Sequence, residues 1–269
     1  MLLAHVLGVS RASIIAHAER ILNDAEEQRA NQFLARRADG EPFAYLIGSR
    51  EFYGRDFMVS PATLIPRPET EIIVEQALAR LSGQNPPGMP ANIDSMHISA
   101  RVGTRVLDLG TGSGPIAITL ALERTNMVVV ASDFSRDALL VAEDNARRLN
   151  VAVEFIHSNW YQNLVGRKFD LIVSNPPYIA TQEIATLEAE VRDYDPKLAL
   201  DGGEDGLEFY RVLAGAAGKW LQADGKIMLE FGEGQAEFIQ EIFQKQKWIV
   251  EALESDYSQR LRFLIARPA

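Results

Sequence analysis

The 269-residue chain has a formal net charge of −10, with 47% hydrophobic and 24% charged residues. This composition is that of a folded globular protein and lies far from the disordered and membrane-spanning classes. The acidic balance argues against a broad electrostatic contact with nucleic acid, which draws on clustered Lys and Arg. The absence of cysteine excludes disulfides, thiolate catalysis and Cys-rich zinc sites.

The N-terminal segment gives no sign of export. It lacks the basic region and the cleavage site of a signal peptide, and no apolar run reaches the roughly 18 residues of a membrane span. We therefore expect a cytoplasmic protein. The four histidines show no metal-ligand spacing, so they are expected to be structural and no metal site is predicted.

The first 70 residues divide into two regions of different character. Apolar residues recur at helical spacing up to about residue 40, which predicts a helical domain over residues 1–42. Residues 43–70 combine aromatic and β-branched residues with glycines and prolines, a pattern typical of a hairpin-like connector. Acidic residues at 69 and 71 precede an apolar run, so a helix is expected to begin there.

Residues 71–269 are predicted to form the main domain. Residues 82–101 contain Gly83 and three prolines and are expected to form an exposed loop. The predicted strands that follow are residues 105–109, 127–132, 151–157, 169–174, 226–231, 248–254 and 260–266, and the predicted helices are residues 115–123, 136–149, 207–221 and 235–246. Apolar strands alternating with helices indicate an α/β fold with a mostly parallel seven-stranded sheet. The last two strands are expected to form an antiparallel edge.

A glycine-rich turn follows the first of these strands. Its residues are Gly110, Thr111, Gly112, Ser113 and Gly114. The three glycines allow positive φ and remove Cβ atoms that would hold a ligand away. Asp133, at the end of the next strand, suits ribose hydroxyls in either a dinucleotide or an S-adenosylmethionine site. A pyrophosphate needs G-x-G-x-x-G, whereas these glycines alternate and Pro115 follows, so the spacing favours S-adenosylmethionine.

Three more residues border the predicted cofactor site. Asp108 either orients the turn or meets the amino group of the cofactor, or it caps nearby amides. Asn159 and Trp160 follow the third strand, at the sheet edge where open α/β folds bind ligands. Their expected roles are to meet the adenine edge and to cover the adenine face, with core packing as the alternative for Trp160.

The strand at residues 169–174 ends in Asn175, Pro176, Pro177 and Tyr178. The two prolines make a rigid loop that presents the asparagine side chain. An amide or exocyclic amine is a poor nucleophile because its lone pair is delocalised. Hydrogen bonds from the target NH₂ to the Asn175 side-chain oxygen and the Pro176 carbonyl stabilise the positive charge that grows on nitrogen during methyl transfer. Tyr178 is expected to pack on the planar target, near the cationic sulfonium.

These features predict a Rossmann-like class I methyltransferase, with Asn175, Pro176 and Tyr178 as catalytic residues. At these residues the chain resembles the HemK/PrmC family, the protein-(glutamine-N5) methyltransferases that modify the GGQ glutamine of class 1 peptide chain release factors. The resemblance covers nearly the whole chain, with matching motifs at residues 3–8, 43–48, 50–54, 65–71, 110–114, 175–179 and 200–207.

The resemblance implies which residues hold each ligand. S-adenosylmethionine is expected to contact Gly110, Thr111, Gly112, Ser113, Gly114, Asp133, Trp160 and Asn175, and the substrate glutamine to contact Asn175, Pro176, Pro177 and Tyr178. The resemblance also implies that the helical domain helps to dock the release factor. Residues 66–69 are expected to line the cleft, with a plain turn and helix cap as the alternative.

Three departures from the family pattern bear on these expectations. The chain begins almost directly at the first family motif, so a shortened helical domain is expected. Asn159 stands where relatives often have an acid, which is expected to weaken adenine recognition. Pro115 replaces a small or apolar residue and is compatible with a first helical turn.

Three alternatives remain open at this point. An adenine-N6 nucleic-acid methyltransferase uses the same hydrogen bonds on a flipped base, although it normally has a basic groove and a target-recognition module. A ribosomal-protein glutamine methyltransferase shares the loop but differs in its N-terminal region. A non-catalytic binding module that keeps the fold is the third.

Overall fold

The structure is a computed structural model that describes residues 1–81 and 103–269. The loop expected at residues 82–101 lies outside the described residues. The chain opens with the helices α1 (Leu2–Leu7), α2 (Arg11–Ala16), α3 (Asp24–Ala38) and α4 (Phe43–Ile47). Helix α3 begins with a capping box, in which Asn23 accepts from the Glu26 N–H and Glu26 accepts from the Asn23 N–H. The helical content expected for residues 1–42 is confirmed, while the domain boundaries stay a prediction.

The connector contains the expected hairpin, formed by β1 (Ser49–Phe52) and β2 (Arg55–Met58). The hairpin is preceded by helix α4, which the aromatic and β-branched composition did not indicate. Gly48 ends this helix in the left-handed conformation, with φ 74°. Phe52 and Phe57 from the two strands pack edge to face, with ring centroids 5.9 Å apart, and are fully buried against the main domain.

The main domain alternates helices and strands, as the sequence predicts. A 3₁₀ turn (Pro68–Thr70) leads into α5 (Glu71–Leu81), and the following elements are β3 (Arg105–Leu109), α6 (Pro115–Glu123), β4 (Val128–Asp133), α7 (Arg136–Arg148), β5 (Glu154–His157) and β6 (Phe169–Ser174). The second half contains a 3₁₀ turn (Thr181–Thr186), α8 (Ala189–Arg192), α9 (Lys197–Leu200), α10 (Glu208–Ala216), a 3₁₀ turn (Ala217–Trp220), β7 (Leu221–Glu230), α11 (Ala236–Lys245), β8 (Trp248–Ser255) and β9 (Leu261–Pro268).

The seven strands form one sheet in the order β5-β4-β3-β6-β7-β9-β8. The pairs from β5 to β7 are parallel, and β9 runs antiparallel to both of its neighbours. The predicted mostly parallel sheet with an antiparallel edge is therefore confirmed, with the edge formed by the β9–β8 pair. The strand order reverses between β3 and β6. Open α/β sheets bind ligands at such a point, beyond the carboxyl ends of the strands.

Each face of the sheet carries its own apolar core. One core packs the hairpin, α5 and α6 against the sheet, and the other packs α10 and α11 on the opposite face. The central strands are buried on both faces, as in other parallel sheets covered by helices. This three-layer packing fixes the ends of β3 and β6 in space, so the loops that follow them are held rigidly at the reversal point.

Candidate active site

A cavity of about 440 Å³ opens at this reversal point, a size typical of small-molecule sites. Seven of the residues predicted from the sequence line it: Gly110, Gly112, Asp133, Asn159, Trp160, Asn175 and Pro177. The other predicted residues, Thr111, Ser113, Gly114, Pro176 and Tyr178, do not line the cavity but support the two loops that do. The residues between the hairpin and α5 that line it are 62–64, and not 66–69 as expected.

The glycine turn is shaped to leave open space in front of its backbone. Gly110 and Gly112 have φ of 74° and 59°, and a Cβ on either residue would meet no atom within 4 Å among the residues the structure describes. The space that these missing side chains leave is part of the cavity. Gly114 differs, because a Cβ there would lie 2.7 Å from Ile118 Cδ1 at the start of α6. Two glycines thus face the cavity, and one permits tight helix packing.

Asp133 connects the glycine turn to the second strand. Its Oδ2 accepts from the Gly112 N–H at 2.8 Å, and its Oδ1 accepts from the Ser135 N–H at 2.8 Å. Burial raises the pKa of Asp133, and these backbone donors offset part of the rise. The carboxylate lines the cavity with further acceptor capacity, because each oxygen has two lone pairs.

Asp108 lies behind the glycine turn and is fully buried. Its Oδ2 accepts from the Thr111 hydroxyl at 2.6 Å and from the Ala117 N–H at 3.2 Å, so the residue orients the turn and caps α6. Its Oδ1 is buried with no hydrogen-bond partner in the described part of the chain. Burial raises the pKa of Asp108 to about 7. These contacts support the orienting and capping roles of Asp108, which does not line the cavity.

Aromatic rings cover one side of the cavity. Trp160 lies 5.0 Å from Phe209, measured between ring centroids, and the backbone at Trp160 has a positive φ of 52°. Phe134, directly after Asp133, also lines the cavity and is 55% exposed. The sequence reasoning missed both phenylalanines. Adjacency to Asp133 was a usable signal for Phe134, whereas Phe209 reaches the site only through the packing of α10.

These features fit the parts of S-adenosylmethionine. The open space before Gly110 and Gly112 admits a ligand to the backbone, and Asp133 supplies acceptors for hydroxyl groups. Trp160 and Phe209 offer apolar faces to an adenine ring. No group of His, Asp or Glu side chains with a metal-holding arrangement occurs among residues 1–81 and 103–269. In the same residues, no helix is long and apolar enough to cross a membrane.

Asn175 faces the glycine turn from the end of β6. Its Nδ2 donates to the Thr70 hydroxyl at 3.1 Å, across 105 positions of sequence. No hydrogen bond within the described residues uses the Asn175 Oδ1 or the Pro176 carbonyl. Two acceptor oxygens thus stay available on consecutive residues. Neither Thr70 nor its role was foreseen from the sequence.

A second segment braces the loop that contains Asn175. The Tyr178 carbonyl accepts from Gln235 Nε2 at 2.8 Å, and Ile179 pairs with Asp201 in a parallel bridge. Gly206 lies so close to the Tyr178 carbonyl that a Cβ there would clash with it. Gly202 approaches the Pro177 carbonyl in the same way, at 2.9 Å from its would-be Cβ. A side chain at Gly202 or Gly206 would therefore collide with the loop backbone, which explains why these two positions are glycine.

Two connector residues are bonded to a buried carboxylate in the segment that follows β6. Asp195 accepts from Arg67 Nη2 at 2.6 Å and from the Tyr45 hydroxyl at 2.8 Å. Burial raises the pKa of Asp195, and Arg67 offsets part of the rise. Arg67 therefore attaches residues 66–69 of the connector to the segment that follows β6. Thr70, the next residue, accepts the hydrogen bond from Asn175.

The comparisons with known proteins agree with this architecture. The family model described as methyltransferase small domain matches residues 93–195, and the one described as PrmC N-terminal domain matches residues 1–48. A methyltransferase from Pyrococcus furiosus has the same fold, with a TM-score of 0.55 and 21% identity over 88% of this chain and 98% of that one. The sheet order and these matches define a Rossmann-like class I methyltransferase.

Curated relatives narrow the class. The chain is 41% identical to the release factor glutamine methyltransferase of Geobacter sulfurreducens over 91% of this chain and 79% of that protein. It is 39% identical to that of Agrobacterium fabrum, over 99% and 88%. The chain belongs to the HemK/PrmC family of release factor glutamine methyltransferases. It spans about half the length of the bifunctional methyltransferases that it also matches, such as that of Rickettsia felis, which is 36% identical over 100% of this chain and 53% of that protein.

Proposed function

We propose that this chain transfers a methyl group from S-adenosylmethionine to the side-chain amide nitrogen of the GGQ glutamine in a class 1 peptide chain release factor. The observation that carries the proposal is the pair of acceptors on Asn175 and Pro176, which stand at the reversal point opposite the glycine turn. Relatives that are 39–41% identical, of which the chain covers 79–88%, are named release factor glutamine methyltransferases. Because such a substrate acts in translation termination, we infer a cytoplasmic location.

The cofactor occupies the cavity in this proposal. Gly110, Gly112 and Asp133 contact it directly, and Trp160 covers its adenine. Thr111, Ser113 and Gly114 hold the shape of the turn, as the Thr111–Asp108 hydrogen bond and the packing of Gly114 on Ile118 suggest. Asn175 borders both the cofactor and the target. When bound, S-adenosylmethionine supplies an electrophilic methyl group on a sulfonium.

The protein residues make the target amide reactive by position and charge. The Asn175 Oδ1 and the Pro176 carbonyl accept the two N–H bonds of the glutamine amide and orient its nitrogen in line with the methyl group. The nitrogen–carbon bond forms as the carbon–sulfur bond breaks, and the electron pair of that bond stays on sulfur. The two oxygens stabilise the positive charge on nitrogen, and the surplus proton leaves to solvent. Pro177 and Tyr178 pack the amide plane.

Docking of the release factor involves the helical region in this proposal. This region carries exposed apolar side chains, with Ile15 of α2 at 69%, Ile21 between α2 and α3 at 91%, and Leu34 of α3 at 55% exposure. Exposed apolar residues of this kind are typical of protein contact surfaces. Residues 1–42, 43–70 and 71–269 are proposed as docking domain, connector and catalytic domain.

The test is methyl transfer to defined substrates. Purified protein, S-adenosylmethionine and an unmodified class 1 release factor are expected to give one added methyl on the GGQ glutamine, located by tandem mass spectrometry. A release factor with GGA in place of GGQ is the matched control and is expected to stay unmodified. Transfer to DNA, RNA or a ribosomal protein, with none to the release factor, contradicts the proposal. Binding of S-adenosylmethionine with no methyl transfer to any of these substrates also contradicts the proposal.

A further inference from the structure

A second acidic residue lies behind the target loop, in a place that the mechanism above does not use. Glu230 ends β7, next to the end of β6, because Ser174 and Leu229 are paired in the parallel register just before it. The side chain is 3% exposed, and its Oε2 is buried without a hydrogen-bond partner in the described part of the chain. Burial of a carboxylate is costly unless the charge is paired or hydrogen-bonded.

The neighbours of Glu230 link it to Asn175. Burial raises the pKa of Glu230 to about 7, and the Thr70 hydroxyl, then Arg262, and the Asn175 amide pull it down. Glu69 raises the same pKa. Two tyrosines lie near Glu230. The Tyr210 hydroxyl donates to the Glu230 backbone carbonyl at 2.9 Å, and burial, with a smaller contribution from the Glu230 charge, raises the pKa of both Tyr178 and Tyr210. Among these neighbours, Thr70 and Asn175 are already joined to each other by a hydrogen bond.

The direction of that hydrogen bond decides which atom of Asn175 is free. A hydroxyl has one proton, so a Thr70 hydroxyl that donates to a carboxylate must accept from Asn175. Acceptance requires the Nδ2 end of the amide, which leaves Oδ1 for the target. The negative carboxylate favours the same orientation, because it attracts the NH₂ end and repels Oδ1. Without the carboxylate, Thr70 can donate instead, and the amide can turn over.

We propose that Glu230 is a positioning residue: acting directly and through Thr70, its carboxylate holds the Asn175 NH₂ inward and so keeps Oδ1 free to accept from the glutamine amide. This inference rests on the proposed function, since it concerns the same hydrogen bonds to the target. It adds a required residue, Glu230, that lies outside residues 175–178. A reversed Asn175 would present a donor to a donor and would repel the target amide.

Activity measurements separate this role from a structural one. In Glu230→Gln, kcat toward the release factor at pH 8 is expected to fall at least tenfold, while the Kd for S-adenosylmethionine stays within about twofold. Thr70→Val should lose kcat in the same way, and Thr70→Ser, which keeps the hydroxyl, should restore most of it. Glu254→Gln removes a carboxyl from the same sheet, at its salt bridge to Arg80, and serves as the matched control. The Gln amide oxygen can still accept from Arg80, and the site is remote from Asn175, so kcat is expected to stay within about twofold of the wild type.

The pH profile adds a readout that packing alone would not move. Wild-type kcat is expected to fall as the pH drops below neutrality, because protonated Glu230 can donate to Thr70. Glu230→Gln should show a low and flat profile over pH 6–8. A wild-type and a variant profile that keep the same shape contradict the inference.

A measurement without substrate tests the same coupling. In ¹⁵N-labelled protein, the side-chain NH₂ signals of Asn175, assigned by their loss in Asn175→Ala, are expected to shift with pH near neutrality. The shift should vanish in Glu230→Gln. Signals that do not titrate in the wild type overturn the inference. If the wild type modifies the release factor but Glu230→Gln is fully active, this inference fails alone. If the wild type does not modify the release factor, the proposed function fails, and the NH₂ titration still decides the coupling.

Discussion

The two sides of the cleft are built in different ways. The polar contacts of the cofactor side come from two consecutive strand-to-loop turns and are short in sequence, with Thr111 bonded to Asp108 and Gly112 to Asp133. The target side is assembled from segments far apart in the chain, since Asn175 contacts Thr70 across 105 positions and the Tyr178 carbonyl contacts Gln235 across 57. Damage to the cofactor side should therefore stay local, whereas the target side depends on the packing of the whole domain.

The two sides also share a feature, which is a buried acid behind each loop. Asp108 and Glu230 each have a pKa raised to about 7 by burial, and each has one oxygen without a partner in the described part of the chain. The first supports the glycine turn directly, and the second lies beside Thr70 and Asn175. The comparison predicts that substitutions on the two sides change different constants: the cofactor Kd on one, and kcat on the other.

The largest expected effect is on the target side, at Asn175. Asn175→Ala removes an acceptor for charge that develops in the transition state, so kcat is expected to fall by about 10²–10³-fold. Single-turnover transfer to the release factor measures this fall, and titration calorimetry should show that the cofactor Kd changes by less than about tenfold. Gln244→Ala, on an exposed face of α11 and away from both the cleft and the helical region, is the control. A larger change in Kd than in kcat would place Asn175 on the cofactor side and break the comparison.

Gly206 tests the brace of the target loop without touching its reactive groups. A Cβ at this residue collides with the Tyr178 carbonyl, and the backbone φ of 72° disfavours any side chain. Gly206→Ala is expected to displace the loop and to lower kcat by about 10–100-fold, since small misplacement is costly in catalysis. Gly234→Ala has a similar φ of 82° with nothing within 4 Å of the new Cβ among described residues. Equal losses in the two variants would mean that backbone strain, and not loop position, sets the rate.

The same contrast explains what the sequence predicted. The glycine turn, Asp133 and residues 175–178 are each a short segment whose chemistry can be read from the sequence. Five of the six strands and helices predicted between residues 105 and 174 begin at or within one residue of their observed positions. The roles of Thr70 and Glu230 cannot be read from the sequence in this way. Strand order places Glu230 beside β6, and the packing of the 3₁₀ turn before α5 places Thr70 beside Asn175. Glu230 gave a partial signal, as an acid directly after the apolar run at residues 227–229. Helix α4 was missed because its aromatic residues suit a strand, and its end depends on one left-handed glycine.

The two buried acids also make stability depend on pH. Their folded pKa values of about 7 lie above the ordinary values of 3.8 and 4.5, so the folded state holds its protons more tightly. The stabilisation is complete below the ordinary values and is lost as the pH rises through about 7. From pH 5 to pH 8 the free energy of unfolding is expected to fall by roughly 1–3 kcal/mol per acid. Denaturant unfolding of the wild type, Asp108→Asn and Glu230→Gln measures it.

Each substitution should remove the part of the pH dependence of the free energy of unfolding that comes from its own acid. At pH 8, Glu230→Gln should be at least as stable as the wild type, although its kcat is lower. Such a variant would separate stability from function on the target side. A pH-independent free energy of unfolding in the wild type would show that neither acid is protonated in the folded state near neutrality.

On the cofactor side, Gly112 offers a matched pair with a remote glycine. Gly112→Ala and Gly166→Ala both place a Cβ on a left-handed residue with no atom within 4 Å among those described, so their backbone strain is similar. Only the Gly112 side chain enters the cavity. Calorimetry is expected to show an S-adenosylmethionine Kd raised by about tenfold in Gly112→Ala and unchanged in Gly166→Ala. At saturating cofactor the kcat of both should match the wild type, and a fall in kcat alone would count against a cofactor role for the turn.

The smallest expected effect concerns Asn159, which is exposed at the rim of the cavity. A carboxylate accepts more strongly than an amide oxygen from an amino group such as that of adenine, so Asn159→Asp is expected to tighten S-adenosylmethionine binding by about two- to fivefold. The gain is small because the side chain is solvated and the new charge lies near Asp133. Gln162→Glu adds the same charge nearby, on an exposed side chain outside the cavity lining, and should leave Kd unchanged. Tighter binding in both variants would assign the effect to general electrostatics, whereas weaker binding in Asn159→Asp alone would place the adenine edge elsewhere in the cavity.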